Sequence, residues 1–238
     1  MKIPYIVAMS LASLSIAQAT TIAVTGAVNS TDAADQGSAS LGTLTATTLV
    51  ADNSDGTGAG QAQQFTISDL DLNGSGGAND SIVVNFIVTS SNEILTSGSS
   101  AAGWLAGGTG NNMDTDGESL TITFSSVLVN LDGGTGNGAG AFLGFTGVTM
   151  GSWDYDELNG LPEDQATING IQYASTADNE TLTIPSSNAI SLLYDTGSSD
   201  FGSWRHLGSS FSVEVVPEPS SSLMVGIAAL GLMIRRKR

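Results

Sequence analysis

The chain has 238 residues, a length that suits one all-β domain or at most two small ones. It contains no cysteine and one histidine, which excludes a disulfide framework, a thiolate metal site, a cysteine nucleophile and a histidine-rich metal centre. Only 6 lysines and arginines stand against 23 acidic residues, and the resulting net charge of −17 excludes a basic nucleic-acid surface.

The charges are segregated along the chain. Basic residues other than Arg205 all lie in the first two or the last four positions. Residues 20–216 therefore hold one basic residue against 22 acidic ones, Glu218 being the acidic residue outside them, and carry a net charge of −21. Such a body repels phosphate backbones and anionic lipid and attracts cations. A solvated acidic surface and a cation-binding function both account for it.

The first 19 residues predict a secretory signal peptide. The amino terminus and Lys2 are positive, and an apolar run follows over residues 3–16. Ala17 and Ala19 are the small residues of an A-x-A cleavage site, so we expect export by the Sec translocon and cleavage by signal peptidase before Thr20. An uncleaved N-terminal membrane anchor is the alternative.

Residues 20–215 predict a single β-sandwich domain. Short segments that alternate apolar and polar residues, rich in Thr, Val, Ile and Phe, are typical of strands. The predicted strands cover 21–28, 41–50, 65–72, 81–88, 120–124, 127–131, 141–149, 167–173, 181–184, 189–193 and 211–216. Within 65–72 the alternation slips by one residue, which indicates a β-bulge.

Clusters of Gly, Asn, Asp and Ser separate these segments and predict turns. They cover 52–60, 73–80, 97–117, 132–140 and 195–202. Many short strands without a convincing amphipathic helix favour an all-β sandwich of jelly-roll topology, with a right-handed β-helix as the alternative. The segment 97–117 is longer than ordinary connections and is predicted to be a functional loop or a packed flap.

The aromatic residues divide into a predicted core set and a predicted loop set. We expect the core to be filled by Phe65, Phe86, Phe124, Phe142 and Phe145. Trp104, Trp153 and Trp204 lie in or near loops instead. They are predicted to be either lids on the ends of the sandwich or stacking platforms for sugar rings.

The loop 112–118 is the candidate calcium site. Side-chain oxygens recur there at every second residue, and the positions concerned are Asn112, Asp114, Asp116 and Glu118. This spacing resembles the first half of an EF-hand loop, but Thr123 replaces the bidentate glutamate at the twelfth position and lies in a predicted strand. The loop is therefore not an EF-hand, and an ordinary Asx turn is the alternative to a calcium site.

The sequence does not indicate an enzyme. His206 is the only imidazole, no G-x-S-x-G elbow is present, and nothing supports a Ser-His-Asp arrangement, so we expect a structural histidine. A carbohydrate-active enzyme with acidic catalytic residues is the alternative function, because two carboxyl groups across a cleft suffice for glycoside hydrolysis. Asp154, Asp156 and Glu157 are the nearest approach to such a group.

Residues 216–238 predict a removable membrane tail in three parts. Pro217, Glu218 and Pro219 with three serines precede an apolar stretch over 223–234, and four basic residues follow. As a hydrophobic helix the apolar stretch would span about 18 Å, less than the roughly 30 Å of bilayer hydrocarbon. The basic residues, expected to stay on the cytoplasmic side, are Arg235, Arg236, Lys237 and Arg238. A permanently tail-anchored envelope protein is the alternative.

This tail resembles the PEP-CTERM sorting signal of Gram-negative bacteria, in the form common in Verrucomicrobia and related phyla. The resemblance covers residues 217–238 and implies that Pro217, Glu218 and Pro219 are recognised by an exosortase, a membrane transpeptidase-like enzyme that processes the tail. It also implies export and association with the cell surface or an exopolysaccharide matrix. We therefore expect an exported, non-catalytic surface or matrix protein, with calcium and the loop tryptophans as candidate means of contact with exopolysaccharide.

Overall fold

The computed structural model describes a set of separate ranges of the chain. These ranges are 20–27, 38–48, 60–73, 76–91, 94–96, 104–106, 113, 117–151, 155–156, 161–162, 164–178, 180–194 and 204–216. Within them the backbone forms strands and turns and no helix. The predicted signal peptide and the predicted hydrophobic helix of the tail lie outside these ranges.

Sixteen strands follow one another in the described part of the chain. They are β1 (Thr20–Ala27), β2 (Ser38–Ala39), β3 (Thr43–Thr48), β4 (Gln61–Leu70), β5 (Asp80–Ser90), β6 (Ile94–Thr96), β7 (Trp104–Ala106), β8 (Ser119–Asn130), β9 (Ala139–Gly151), β10 (Tyr155–Asp156), β11 (Leu161–Pro162), β12 (Gln165–Ile168), β13 (Ile171–Ala174), β14 (Thr181–Ser187), β15 (Ala189–Leu193) and β16 (Arg205–Val216).

These strands form two antiparallel sheets. Sheet I has the order β14-β9-β16-β1-β2, with β7 paired to β16 and β6 paired to β7. Sheet II has the order β13-β12-β15-β8-β5-β4-β3. The short strands β10 and β11 pair with each other.

Eight of the strands have the order of a jelly roll. Numbered in chain order, they are β1, β8, β9, β12, β13, β14, β15 and β16. The first, eighth, third and sixth of these strands lie side by side in sheet I, as β1, β16, β9 and β14. The second, seventh, fourth and fifth lie side by side in sheet II, as β8, β15, β12 and β13. This is the double Greek key of a jelly roll, so the predicted all-β sandwich and its topology are confirmed. The segment between the first and second of these strands adds β5, β4 and β3 to the edge of sheet II.

Phenylalanine side chains join the two sheets. Phe86 of sheet II is buried, and its ring centroid lies 5.1 Å from that of Phe145 and 5.2 Å from that of Phe211, both in sheet I. Phe124 and Phe142 are half-buried against the core and stack with their centroids 4.2 Å apart. The predicted core set is therefore confirmed, and Phe211 is an additional member of it.

Two β-bulges explain how the predicted strands compare with the observed ones. The phase slip in 65–72 is a β-bulge, where the register between β4 and β5 shifts and Asp69 has a φ of 59°. The segments 120–124 and 127–131, predicted as two strands, are one strand, β8, with a bulge opposite Asn85 and Phe86. A bulge changes which face a side chain points to without ending the pairing, so alternation alone divided β8 in two.

The structure corrects one other predicted strand and describes part of the long segment 97–117. Residues 167–173 are not one strand but parts of the β12–β13 hairpin, in which Asn169 and Gly170 both have positive φ, 51° and 78°, as a two-residue hairpin turn requires. In the segment 97–117, which was predicted to be a functional loop or a packed flap, β7 pairs with β16, and the buried Met113 forms an antiparallel bridge with Trp204. These contacts agree with a packed flap.

Candidate sorting junction

The sandwich ends at the residue that precedes the proline motif. β16 lies between β9 and β1 and continues to Val216, with Val213 and Val215 fully buried. Both edges of such a strand are hydrogen-bonded, and a proline has no backbone N–H to contribute. Pro217 therefore explains why the strand stops at Val216, and no linker separates the folded domain from the predicted recognition residues.

The first described strand begins beside the last one. β1 starts at Thr20, the residue that follows the predicted signal cleavage site, and Thr20 pairs with Val215 while Thr21 pairs with Glu214. Neighbouring strands of a sheet lie about 4.8 Å apart. The predicted signal peptide and the C-terminal tail are therefore attached to the domain at neighbouring positions of one sheet. We call this end of the sandwich, where β1 begins and β16 ends, the junction end.

A buried carboxylate fastens two turns at the junction end. Asp80 Oδ2 accepts hydrogen bonds from the backbone N–H groups of Leu72, at 2.5 Å, and Asn73, at 3.3 Å, and Asp80 Oδ1 accepts one from Asp132 N–H at 2.7 Å. The turn containing Asp132 leads into β9, whose first residue, Ala139, pairs with Val216. The sequence analysis missed this network, because an aspartate before a strand carries no sign of its distant partners.

The single histidine of the chain is buried in β16. His206 is fully buried, and its Nε2 lies 2.8 Å from Ser209 Oγ, next to a shift in register between His206 and Gly208. Burial lowers its pKa from 6.5 to about 3, against the opposing effect of hydrogen bonds with the backbone. The imidazole is therefore neutral at physiological pH and enclosed by protein, which agrees with the expectation of a structural histidine.

The lowered pKa of His206 predicts a pH-dependent stability. The unfolded chain takes up a proton near pH 6.5 and the folded chain only near pH 3, so stability is fully present above pH 6.5 and falls between these values as the pH falls. Between pH 7.5 and 5.5 the expected loss is about 1 kcal/mol. Urea unfolding of the wild type and of His206→Gln at both pH values measures it. The same loss in the variant would show that other groups cause it.

Of the two alternatives predicted for Trp204, a packed lid and a stacking platform for sugar, the structure agrees with a packed ring and contradicts the stacking platform. Its side chain is 0% exposed, its Nε1 donates a hydrogen bond of 2.9 Å to the carbonyl of Gln165, and its ring packs beside Tyr194. A ring enclosed in this way offers no face to a sugar. Trp104 belongs to β7 by its backbone, whereas its side chain and the whole of Trp153 lie outside what the structure describes, so stacking at those two residues stays a prediction.

One residue of the candidate calcium site is described. Glu118 is buried, its carbonyl accepts a hydrogen bond from Tyr194 N–H, and the N–H of the preceding Gly117 donates to the Tyr194 carbonyl. Asn112, Asp114 and Asp116 lie outside the described residues. Among the residues that are described, no group of three or more His, Asp or Glu could hold a metal ion. Calcium binding at 112–118 stays a prediction.

The remaining predicted site residues also fall outside the described ranges. They are Ala17, Ala19, Pro217, Glu218, Pro219, Arg235, Arg236, Lys237 and Arg238. The described residues include no helix with the length and apolarity needed to cross a membrane. The junction is thus defined by Thr20, Val215 and Val216, at which the described domain meets the two terminal segments.

The comparison with family models identifies the segment that leaves this junction. A model described as the PEP-CTERM protein-sorting motif matches residues 215–238, beginning within β16 and including the Pro217–Pro219 motif. No curated protein and no solved structure matches the chain. The chain therefore carries a PEP-CTERM sorting motif, which indicates an exported protein that an exosortase processes and a C-terminus anchored transiently in the membrane.

Proposed function

We propose that the chain is an exported, non-catalytic protein that an exosortase processes at its C-terminal motif and leaves on the cell surface or in the extracellular matrix. The observation that carries the proposal is the position of the Pro217–Pro219 motif, which directly follows β16, the last strand that the structure describes. In this proposal the motif directs the protein to the cell surface or matrix, and the β-sandwich before it is the part that remains there.

The arrangement of the junction suits processing of a folded domain. Pro219 is three residues beyond Val216, a distance of at most about 10 Å along an extended chain. Because β16, as described, ends at Val216, removal of the segment beyond the motif leaves every strand that the structure describes in place. The pairing of Thr20 with Val215 also allows one end of the sandwich to face the membrane while both terminal segments are attached.

The state of His206 supports the non-catalytic part of the proposal. It is the only imidazole of the chain, and a general base must reach the proton that it removes. His206 is fully buried and neutral, with Ser209 as a neighbour in the same strand. A hydrolase built on this residue would need the sandwich to open.

The proposal includes contact with exopolysaccharide at the destination. The net charge of −21 over residues 20–216 disfavours binding of an acidic polysaccharide unless calcium ions bridge the two, and is compatible with a neutral one. Binding of the secreted protein to its own matrix, measured with and without calcium, distinguishes the two kinds of polymer. Release of reducing ends, lost on substitution of Asp154 or Glu157, would support the enzyme alternative instead.

The mass of the native protein tests the sorting proposal. In cells that contain the exosortase, the product isolated from the surface or medium is expected to lack Arg238 and to begin at Thr20. In the double variant Pro217→Ala, Pro219→Ala, processing is expected to be lost and the chain to stay with the membrane fraction. Intact mass spectrometry of both proteins measures the difference.

The matched control is Pro185→Ala, which removes an exposed proline from β14 and leaves the motif unchanged. Its product is expected to have the wild-type mass. A wild-type surface protein that retains Arg238, or a motif variant that is processed like the wild type, would overturn the proposal.

A further inference from the structure

The centre of the outer face of sheet II is a broad surface without charge. The strands that form the sheet carry two carboxylates in the described residues: Asp80, which is buried, and Asp69, an exposed residue within the bulge at the end of β4. The outward side chains of the other positions are hydroxyls, amides and small or aliphatic groups. They are Thr43, Thr45, Ala62, Gln64, Thr66, Ser68, Ser81, Val83, Asn85, Ile87, Thr89, Thr121, Thr123, Ser126, Leu128, Asn130, Ala189 and Ser191.

The register of the strands orders the centre of this face into rows. The middle row is polar and consists of Gln64, Asn85 and Ser126, which are partners across β4, β5 and β8. Rows with aliphatic groups lie on either side of it. One row is Thr66-Val83-Leu128, and the other is Ala62-Ile87-Thr123. Leu128 and Ile87 are among the most exposed large apolar side chains of the described part, at 43% and 42%.

The polar row is bonded along the sheet. Gln64 Nε2 donates a hydrogen bond of 2.7 Å to Asn85 Oδ1, and Asn85 Nδ2 donates one of 3.0 Å to Ser126 Oγ. Asn130 Nδ2 donates similarly to Ser81 Oγ across the next row. Because these groups already have partners within the face, covering them with another flat surface leaves fewer polar groups unsatisfied than covering free amides would.

We propose that this face is the contact between two copies of the chain. Two molecules of net charge −17 repel one another, and they approach with the least electrostatic cost through surfaces that carry no charge. Five strands at about 4.8 Å and five rows at about 6.8 Å make a face of roughly 800 Å², near the area that each partner buries in a stable complex. The rings that could stack on a sugar are absent from the outward positions just named, which favours a protein partner.

The rows are self-complementary about a two-fold axis through Asn85. A rotation about an axis that runs along the polar row places Gln64, Asn85 and Ser126 against their own copies. Val83 then faces Ile87 of the second copy. Leu128 faces Thr123 of the second copy and lies one strand away from its Ile87, so that methyl and aliphatic groups cover one another. This is an isologous contact, which closes as a dimer rather than growing into a filament.

Cysteine crosslinking in the exported full chain tests the proposal, because the wild type has no cysteine. A short bis-maleimide is expected to join two copies of Asn85→Cys, which face each other at the axis. Thr183→Cys, at an exposed position on the outer face of sheet I, is the control and is expected to stay monomeric. No dimer from Asn85→Cys, or equal dimer from both variants, would overturn the proposal.

Two further readouts identify what holds the copies together. In the Asn85→Cys chain, Leu128→Asp is expected to reduce the crosslinked dimer about tenfold, since it buries an unpaired carboxylate in the contact. Leu143→Asp, which adds the same charge at an equally exposed leucine of sheet I, is expected to leave it unchanged. Raising salt from about 0.01 to 0.15 M shortens the screening length from about 30 to 8 Å and is expected to increase the dimer.

The same variants separate a second copy from a neutral polysaccharide as the occupant. If the face binds a neutral polysaccharide, gels that contain dextran slow the exported chain and Leu128→Asp abolishes this retardation. That result, together with no crosslinked dimer from Asn85→Cys, would assign the face to a polysaccharide and overturn the dimer. Repeating the crosslinking in the Pro217→Ala, Pro219→Ala chain keeps the two proposals distinct, because self-association does not require processing. Resistance of each aspartate variant to limited proteolysis shows that it is folded.

Discussion

Replacing Phe86 with alanine is expected to lower the free energy of unfolding by about 3–5 kcal/mol. Phe86 is 3% exposed, and its ring lies within 6.0 Å of the rings of Phe65, Phe142, Phe145 and Phe211. The substitution removes a side chain of sheet II that contacts three aromatic residues of sheet I, and it leaves the stack of Phe124 on Phe142 as an aromatic contact between the sheets. Urea unfolding followed by tryptophan fluorescence measures the change.

The control for Phe86 is Leu143→Ala, at an exposed leucine, for which the expected change is within about 0.5 kcal/mol. If Phe86→Ala does not fold, Phe86→Leu provides a smaller cavity and an expected loss of about 1–2 kcal/mol. A loss for Phe86→Ala no larger than that for Leu143→Ala would mean that the sheets are held together elsewhere.

The second large effect is expected at Asp80, the buried carboxylate of the junction end. Asp80→Ala removes the acceptor of three backbone N–H groups in two turns, and the expected loss of unfolding free energy is about 2–4 kcal/mol. Asp80→Asn keeps one carbonyl oxygen and is expected to lose less. Chemical denaturation of the three proteins gives the order.

The matched control for Asp80 is Asp71→Asn in the same turn, where the exposed side chain accepts one hydrogen bond, from Gly76 N–H. Its effect on stability is expected to be small, because the amide retains an acceptor oxygen and the group is in water. Equal losses at Asp71 and Asp80 would show that net charge, and not the buried hydrogen bonds, decides the stability of this end. The result bears on sorting, since these turns adjoin the strand end at Val216.

The points that the sequence analysis missed or left open differ in kind. The hairpin turn at Asn169 and Gly170 was readable, because Asn-Gly between two apolar segments is a strong local signal for a two-residue turn. For Trp204, the sequence left a packed lid and a sugar-stacking platform as alternatives, and no local signal distinguished them. Its burial depends on the bridge to Met113, the hydrogen bond to Gln165 and the packing of Tyr194, all of which come from distant parts of the chain.

The sequence by itself determined the features that short contiguous segments encode without distant partners. The alternation of side chains indicated the strands and the bulge at Asp69, and the order of prolines, apolar residues and basic residues indicated the sorting motif. These signals are local because backbone geometry repeats every two residues in a strand, and because a sorting motif is a short contiguous segment.

Only the tertiary structure decided which strands became neighbours. The pairing of Thr20 with Val215, the joining of two turns by Asp80 and the alignment of uncharged rows around Asn85 each bring together residues far apart in the chain. Such partners are selected by the packing of the whole sandwich and the closure of its loops, which no local pattern encodes. The junction end and the proposed dimer face are therefore properties of the fold, whereas the sorting motif is a property of the sequence.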